Sequence, residues 1–250
     1  MKRQIGLGIE MYPDSWQKRA RAGEDIGIPG TSAMDAYLGH WMQVDPSFAE
    51  SVLKRFVKSF RDAYNMLEAY PQGKVRGEKA LQSVGKLISR GLHRRKLAGE
   101  PSPTCTAKCS ACCHIRVTLT ESEADVLVDY LKTRDIKLDQ ELVRFQDEHA
   151  VTEKDHVSIP YEKRVCPVLG EDGNCRAYEA RPLVCRKFMV ASPAWMCDMR
   201  LSDKTAFIID PETEGFVAAQ MALENPPKME DDNLSVHLLK RIPADDGLWK

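Results

Sequence analysis

The chain has 250 residues, of which 43% are hydrophobic, and this is enough apolar material for one sizeable domain or two small ones. Its formal net charge is -1, so the chain as a whole has no strong electrostatic bias towards nucleic acid or membrane. The charge is uneven, because residues 51–100 hold twelve Lys or Arg against four Asp or Glu, whereas residues 201–250 hold five against ten.

The N-terminal segment reads Met-Lys-Arg-Gln-Ile-Gly-Leu-Gly-Ile-Glu and lacks the continuous apolar core of a secretory signal. No run approaches the roughly eighteen apolar residues of a membrane-spanning helix. We therefore expect a cytoplasmic protein. Because thiol buffers keep cysteine pairs reduced there, the eight cysteines predict metal ligation or redox chemistry rather than disulfides.

The first hundred residues predict helices. Short helices are expected at 15–22 and 34–44, with a loop at 27–30 between them. Asp45-Pro46 has the form of an N-cap followed by proline at the first helical position, and apolar residues at three- to four-residue spacing then predict a helix that ends near Pro71. A second long helix is expected at 75–97, although it contains three glycines, which are poor helix formers.

The segment Gly99-Glu-Pro-Ser-Pro103 marks a break before the cysteine-rich region. We predict a helical N-terminal subdomain at 1–100, a cysteine-cluster metal-binding domain at 104–200 and an acidic C-terminal extension at 201–250. The predicted fold is mainly α, with the helical N-terminal part packed on an irregular cysteine-rich core of short strands or loops.

Within that core, Thr120-x-x-Glu123 has the form of a capping box that begins a helix. A further helix is expected at 139–149 and another at 216–223. Short extended pieces are expected at 115–119 and 206–209.

The strongest feature is Cys105-Thr-Ala-Lys-Cys109-Ser-Ala-Cys112-Cys113, which places four thiols within nine residues. Thiols separated by two or three residues can face one ion from a tight turn, as in structural zinc and iron–sulfur sites. The small residues between them let backbone amides approach the sulfur atoms, and Lys108 can add a positive charge. Adjacent cysteines do not easily share one ion, so Cys112 or Cys113 can serve a second ion, bridge two ions or pack in the core.

A second group of cysteines follows at Cys166, Cys175, Cys185 and Cys197. Asp172-Gly173 is a turn signal that predicts a hairpin-like loop joining Cys166 to Cys175. Pro182 fits the first turn of a short helix that carries Cys185.

The order Cys-x3-Cys-x2-Cys-Cys, Cys-Pro-x-Leu and Cys-x2-Tyr-x2-Arg-Pro-x2-Cys-Arg resembles the YkgJ-type cysteine-cluster family, which is described as zinc- or iron-chelating. The resemblance covers about residues 105–188 and includes Tyr178, Arg181, Pro182 and Arg186. It implies metal ligation by Cys105, Cys109, Cys112, Cys113, Cys166, Cys175 and Cys185, with Cys197 as an eighth ligand on a less fixed spacing. A related cluster occurs in flagellin lysine methylases.

The metal is left open between zinc and an iron–sulfur cluster, because both accept four thiolates. His114 is more often a hydrogen-bonded histidine than a ligand at such a position, and Tyr178, Arg181 and Arg186 are expected to brace the metal loops. The spacing of Cys105, Cys109 and Cys112 also resembles that of radical S-adenosylmethionine enzymes, but Ala111 stands where those enzymes usually have an aromatic residue.

Two classes of function remain. One is a metal-binding protein whose centre serves structure, sensing or partner binding. The other is an iron–sulfur enzyme that modifies protein, with an activity similar to a lysine N-methylase. The sequence indicates no catalytic residue, since it lacks recognisable cofactor-loop and nucleophile motifs. We expect a protein partner, no nucleic acid and no membrane. The basic run His93-Arg-Arg-Lys96 is expected to be a solvated end of a helix.

Overall fold

The structure is a computed structural model that describes residues 32–150, 152–198, 200–201, 205–224 and 233–250. It is mainly helical, which confirms the predicted fold class. The α-helices within these ranges are α1 (Ser32–Val44), α2 (Pro46–Glu68), α3 (Lys74–Leu97), α4 (Glu121–Thr133), α5 (Gln140–His149), α6 (Glu153–Ser158), α7 (Leu183–Lys187), α8 (Pro211–Glu224) and α9 (Leu234–Arg241). Short 3₁₀ helices lie at Ala111–His114, Tyr161–Lys163, Tyr178–Ala180 and Ala194–Cys197.

The chain forms two compact units that are not continuous in sequence. Among the described residues, unit 1 contains 32–71, 82–100 and 209–224, and unit 2 contains 72–81, 101–150, 152–198, 200–201, 205–208 and 233–250. The boundaries 1–100, 104–200 and 201–250 remain a prediction. The helix and loop expected at 15–22 and 27–30 lie outside the described residues.

In unit 1, α2 begins where the sequence predicts it. The Asp45 carboxylate accepts hydrogen bonds from the backbone N–H groups of Ser47 and Phe48 at 3.1 and 3.0 Å, which satisfies donors that the first helical turn leaves unpaired. The apolar face of α2 is buried, with Phe56 and Phe60 almost fully enclosed. Helix α8 packs against this face.

Glycine makes the contact between α2 and α8 possible. A Cβ atom at Gly215 would lie 2.4 Å from the carbonyl oxygen of Phe56 and 3.0 Å from the backbone nitrogen of Phe60. Both of these are backbone atoms and cannot rotate away. Only a residue without a side chain therefore fits at this point of α8.

Helix α3 is continuous, which confirms the helix predicted at 75–97 in spite of its glycines. A Cβ atom at Gly77 would lie 2.2 Å from the carbonyl oxygen of Ser122, within unit 2. A Cβ atom at Gly85 would meet nothing within 4 Å. Close backbone approach thus explains Gly77, whereas no contact in the described structure explains Gly85.

In unit 2, the predicted capping box is present at the start of α4. Thr120 accepts from the backbone N–H of Glu123, and the Glu123 carboxylate accepts from the backbone N–H of Thr120. Helix α9 packs against α4 and α5. Its Arg241 pairs with Glu121 and with Asp125 on α4, the latter at 2.7 Å.

The extended pieces are shorter than predicted. Within the described ranges, 115–119 and 206–209 each contribute one isolated bridge, Thr118 to Asn233 and Val190 to Phe207. None of the described helices is both long enough and apolar enough to cross a membrane.

Candidate metal centre

The first cysteine segment is a tight turn followed by a 3₁₀ helix. The backbone N–H of Cys109 donates to the carbonyl of Thr106 at 3.2 Å, and Lys108 adopts a positive φ of 65°. The backbone N–H of Lys108 also donates to the side-chain oxygen of Asn174 at 3.2 Å. This bond ties the turn to the loop that carries the second cysteine group.

The predicted loop between Cys166 and Cys175 has the expected hairpin-like form. The backbone N–H of Gly170 donates to the carbonyl of Asn174 at 2.8 Å, and Leu169 bridges to Cys175. Gly173 has a φ of 79°, a conformation that glycine adopts without the strain imposed by a Cβ atom. The Asp172-Gly173 signal therefore identified the turn correctly.

Two further hydrogen bonds hold the cysteine segments in place. The backbone N–H of Cys166 donates to the carbonyl of Cys113 at 2.7 Å. The backbone N–H of Leu183, at the start of α7, donates to the Glu123 carboxylate at 2.6 Å. Since α7 carries Cys185, the buried Glu123 links this cysteine to the first turn of α4.

Six of the eight thiol residues line one cavity in unit 2. Its volume is about 210 Å³, and its cysteines are Cys109, Cys112, Cys113, Cys166, Cys175 and Cys185. The other lining residues include apolar side chains, such as Val168 and Leu127. Cys105 is exposed, and neither it nor Cys197 is among the lining residues.

The thiols form two groups that interact electrostatically. The first contains Cys112, Cys113, Cys166, Cys175 and Cys185, and the ionisation of each is influenced by at least one other thiol of the group. In the second, Cys197 interacts with Cys109, Cys105 and Cys112. The 3₁₀ helix Ala194–Cys197 packs beside the 3₁₀ helix Ala111–His114, and this contact brings Cys197 towards the first segment.

Burial makes these thiols hard to ionise in the absence of a cation. It raises the pKa of Cys166 to about 12 and also raises the pKa of Cys185, and neighbouring thiolates add to both effects. Cys112 and Cys113 share a hydrogen bond that lowers the pKa of Cys112 and raises that of Cys113. Cys112 is therefore the member of the pair that holds a negative charge more easily.

Arg181 supplies positive charge at the cavity. Its charge lowers the pKa of Cys112, although the hydrogen bond from Cys113 is the larger cause. The guanidinium carbon lies 3.9 Å from the centroid of the Tyr178 ring. Its buried Nε has no hydrogen-bond partner among the described residues. A buried donor of this kind beside a set of thiols fits a site in which those cysteines become negatively charged thiolates.

The thiols share a cavity without being arranged as a ligand set. Within the described parts of the chain, no three His, Cys, Asp or Glu side chains are positioned to hold a metal ion. Ligation therefore requires cysteine side chains to turn towards one another. The donor set fits zinc or an iron–sulfur cluster, since both prefer thiolates.

The remaining predicted site residues brace the loops. His114 stacks on Tyr161 with ring centroids 4.3 Å apart, and it does not line the cavity. The Arg186 guanidinium donates to the carbonyl oxygens of Arg181, at 2.8 Å, and Glu179. Sequence reasoning missed the link from Glu123 to α7, because the capping pattern explains that residue by itself.

The family comparison agrees with this site. Residues 104–212 match the model of the CxxCxxCC family, described as a "Putative zinc- or iron-chelating domain". This confirms the family resemblance for that segment, which contains all eight cysteines. The comparisons with curated proteins and with solved structures gave no match.

Proposed function

We propose that this protein binds zinc or an iron–sulfur cluster through cysteine thiolates, and that the centre serves structure, sensing or the binding of a protein partner. The observation that carries the proposal is the cavity lined by six cysteines from three separate segments. Chance burial of small thiols would not be expected to bring such distant positions to one cavity. The match to a zinc- or iron-chelating family supports the same conclusion.

The two electrostatic groups support a division of the ligands. Cys113, Cys166, Cys175 and Cys185 would form one set, and Cys105, Cys109 and Cys197 the other, with Cys112 close to both. A four-thiolate zinc site carries a net charge of about -2, since four negative thiolates surround one doubly positive zinc ion. Arg181 would offset part of this charge.

Metal binding would also reverse the ionisation of the buried thiols. A bound cation favours the thiolate, so each ligand loses its proton when the metal enters. The energy of metal binding would then help to hold together the loops that carry the cysteines. Removal of the metal should for this reason destabilise unit 2.

The experiment is a set of single Cys→Ser variants, each analysed for metal per chain after purification without oxygen. Cys166→Ser, Cys175→Ser and Cys185→Ser should each lose the metal of the first set. His114→Gln is the matched control, because His114 adjoins Cys113 but does not line the cavity. Full retention of metal in all the Cys→Ser variants would contradict the proposal.

The iron–sulfur enzyme with protein-modifying activity remains the alternative prediction. The same variants bear on it, since an enzyme of that kind requires iron and sulfide in the purified protein. A zinc-only preparation would remove its basis.

A further inference from the structure

A second cavity lies in unit 1, formed by helices α2, α3 and α8. Its volume is about 570 Å³, within the range of sites for small organic ligands. The lining residues of α2 and α3 recur at three- and four-residue spacing, so each helix presents one face to it. None of its lining residues is a cysteine.

The lining combines an apolar floor with a charged rim, in which five cations outnumber the carboxylates of Asp62 and Glu212. Met66, Ala63, Leu87 and Phe216 provide apolar surface, and Phe216 and Ala63 are themselves buried. The cations are contributed by both long helices. They are Arg55, Lys58, Lys86, Arg90 and Arg94.

Some of these cations are neutralised within the protein. Arg94 pairs with Asp210 at 3.1 Å and with Glu212 at 2.5 Å, and Arg55 pairs with the same two carboxylates. Lys58 pairs with Asp62 at 2.5 Å.

Lys86 and Arg90 have no carboxylate partner among the described residues. They stand four residues apart on α3, so two cations without a carboxylate partner are neighbours on one helix face. Such an arrangement disfavours the helix unless an anion compensates it. An anion between Lys86 and Arg90 would provide that compensation.

We propose that this cavity binds a small organic anion that carries a phosphate or carboxylate group on an apolar body. Lys86 and Arg90 hold the anionic group, and the surface of Met66, Leu87 and Phe216 receives the apolar part. Lysine and arginine both form charge-assisted hydrogen bonds with phosphate and carboxylate oxygens. The site is separate from the cysteine cavity and does not depend on the proposed metal function.

The test uses decyl phosphate, below the concentration at which it forms micelles, titrated by calorimetry into the full chain as purified. Wild-type protein should bind it saturably, at least tenfold more tightly than inorganic phosphate, because the alkyl chain buries apolar surface. Raising the salt concentration should weaken binding, since the rim is exposed to solvent.

The double substitution Lys86→Gln with Arg90→Gln should weaken binding at least tenfold. Lys96→Gln is the matched control, because Lys96 is an exposed cation on α3 outside the cavity, and it should change the affinity less than twofold. An unchanged thermal midpoint would show that both variants fold. Absence of saturable binding to the wild type, or equal weakening in the control, would overturn the proposal.

Two sources can supply this chemistry, a soluble metabolite and the headgroup region of a lipid. Vesicles of phosphatidylcholine with phosphatidic acid, sedimented with the protein, distinguish them. Binding of decyl phosphate without sedimentation assigns a soluble ligand, and sedimentation that the double variant loses assigns a lipid.

Discussion

Substitution of Gly215 by alanine should destabilise unit 1, because α8 approaches α2 too closely for a side chain. The added Cβ would lie 2.4 Å from the Phe56 carbonyl oxygen, about 1 Å inside an ordinary van der Waals contact. Overpacking of this kind costs about 1–3 kcal/mol. Alanine regains about 0.5–1 kcal/mol of helix propensity. At the middle of these two ranges, the net loss should be about 1 kcal/mol.

Gly85→Ala is the control, since it is the same substitution within a helix but meets nothing within 4 Å. It should stabilise the protein by about 0.5–1 kcal/mol. In urea denaturation followed by far-ultraviolet circular dichroism, the free energies of unfolding of the two variants should therefore differ by about 2 kcal/mol. For an m-value of about 2 kcal/mol/M, this is a difference of about 1 M in the urea midpoint. If Gly215→Ala proved as stable as Gly85→Ala, the close packing of α2 and α8 would be refuted.

Three further predictions concern unit 2. Thr120→Ala should lower the free energy of unfolding, measured by urea denaturation, by about 1–2 kcal/mol because it breaks the capping box. A stability equal to wild type would contradict this. Glu123→Ala should lower the free energy of unfolding more than Thr120→Ala does and should also lower the metal content, because it leaves the Leu183 N–H at the start of α7 without its acceptor. Unchanged metal content would count against this link. The pKa of His237 is lowered to about 4, mainly because the side chain is buried and secondly because of the positive charge of Arg241. Stability should thus fall as pH drops from about 6.5 to 4, by at most about 3 kcal/mol, and His237→Gln should remove that share of the loss.

Local signals were sufficient to predict α2 and α4, whereas α6 and α9 were not predicted. The Asp45-Pro46 pair and the Thr120-x-x-Glu123 box each satisfy backbone donors from within a few residues, so the sequence alone contains the interaction. The hairpin-like loop at Asp172-Gly173 was predictable for the same reason, because a turn with a positive φ favours glycine.

Contacts between distant segments were not predictable in this way. The glycines of α3 weakened the helix prediction, yet Gly77 is explained by the Ser122 carbonyl of another helix, which no local pattern shows. The bond from Leu183 to Glu123 likewise joins positions sixty residues apart. Cysteine spacing predicted a shared site, but the separation of Cys105 and Cys197 from the cavity depends on tertiary packing.

The cavity in unit 1 also could not be predicted from the sequence. The basic balance of residues 51–100 was visible, but it did not distinguish cations paired with Asp210 and Glu212 from those without a carboxylate partner. Pairing depends on how α8 meets α2 and α3, and that geometry is set by packing rather than by composition.

The most direct test of the metal centre is elemental analysis, with an ultraviolet-visible spectrum, of protein purified without oxygen. We expect near-stoichiometric zinc without visible colour, or iron with sulfide and a broad absorption at roughly 400 nm. Either result would support ligation by the cysteines, and the second would favour redox or cofactor chemistry. Protein that is fully folded, with neither zinc nor iron and with all eight thiols free, would contradict the central claim.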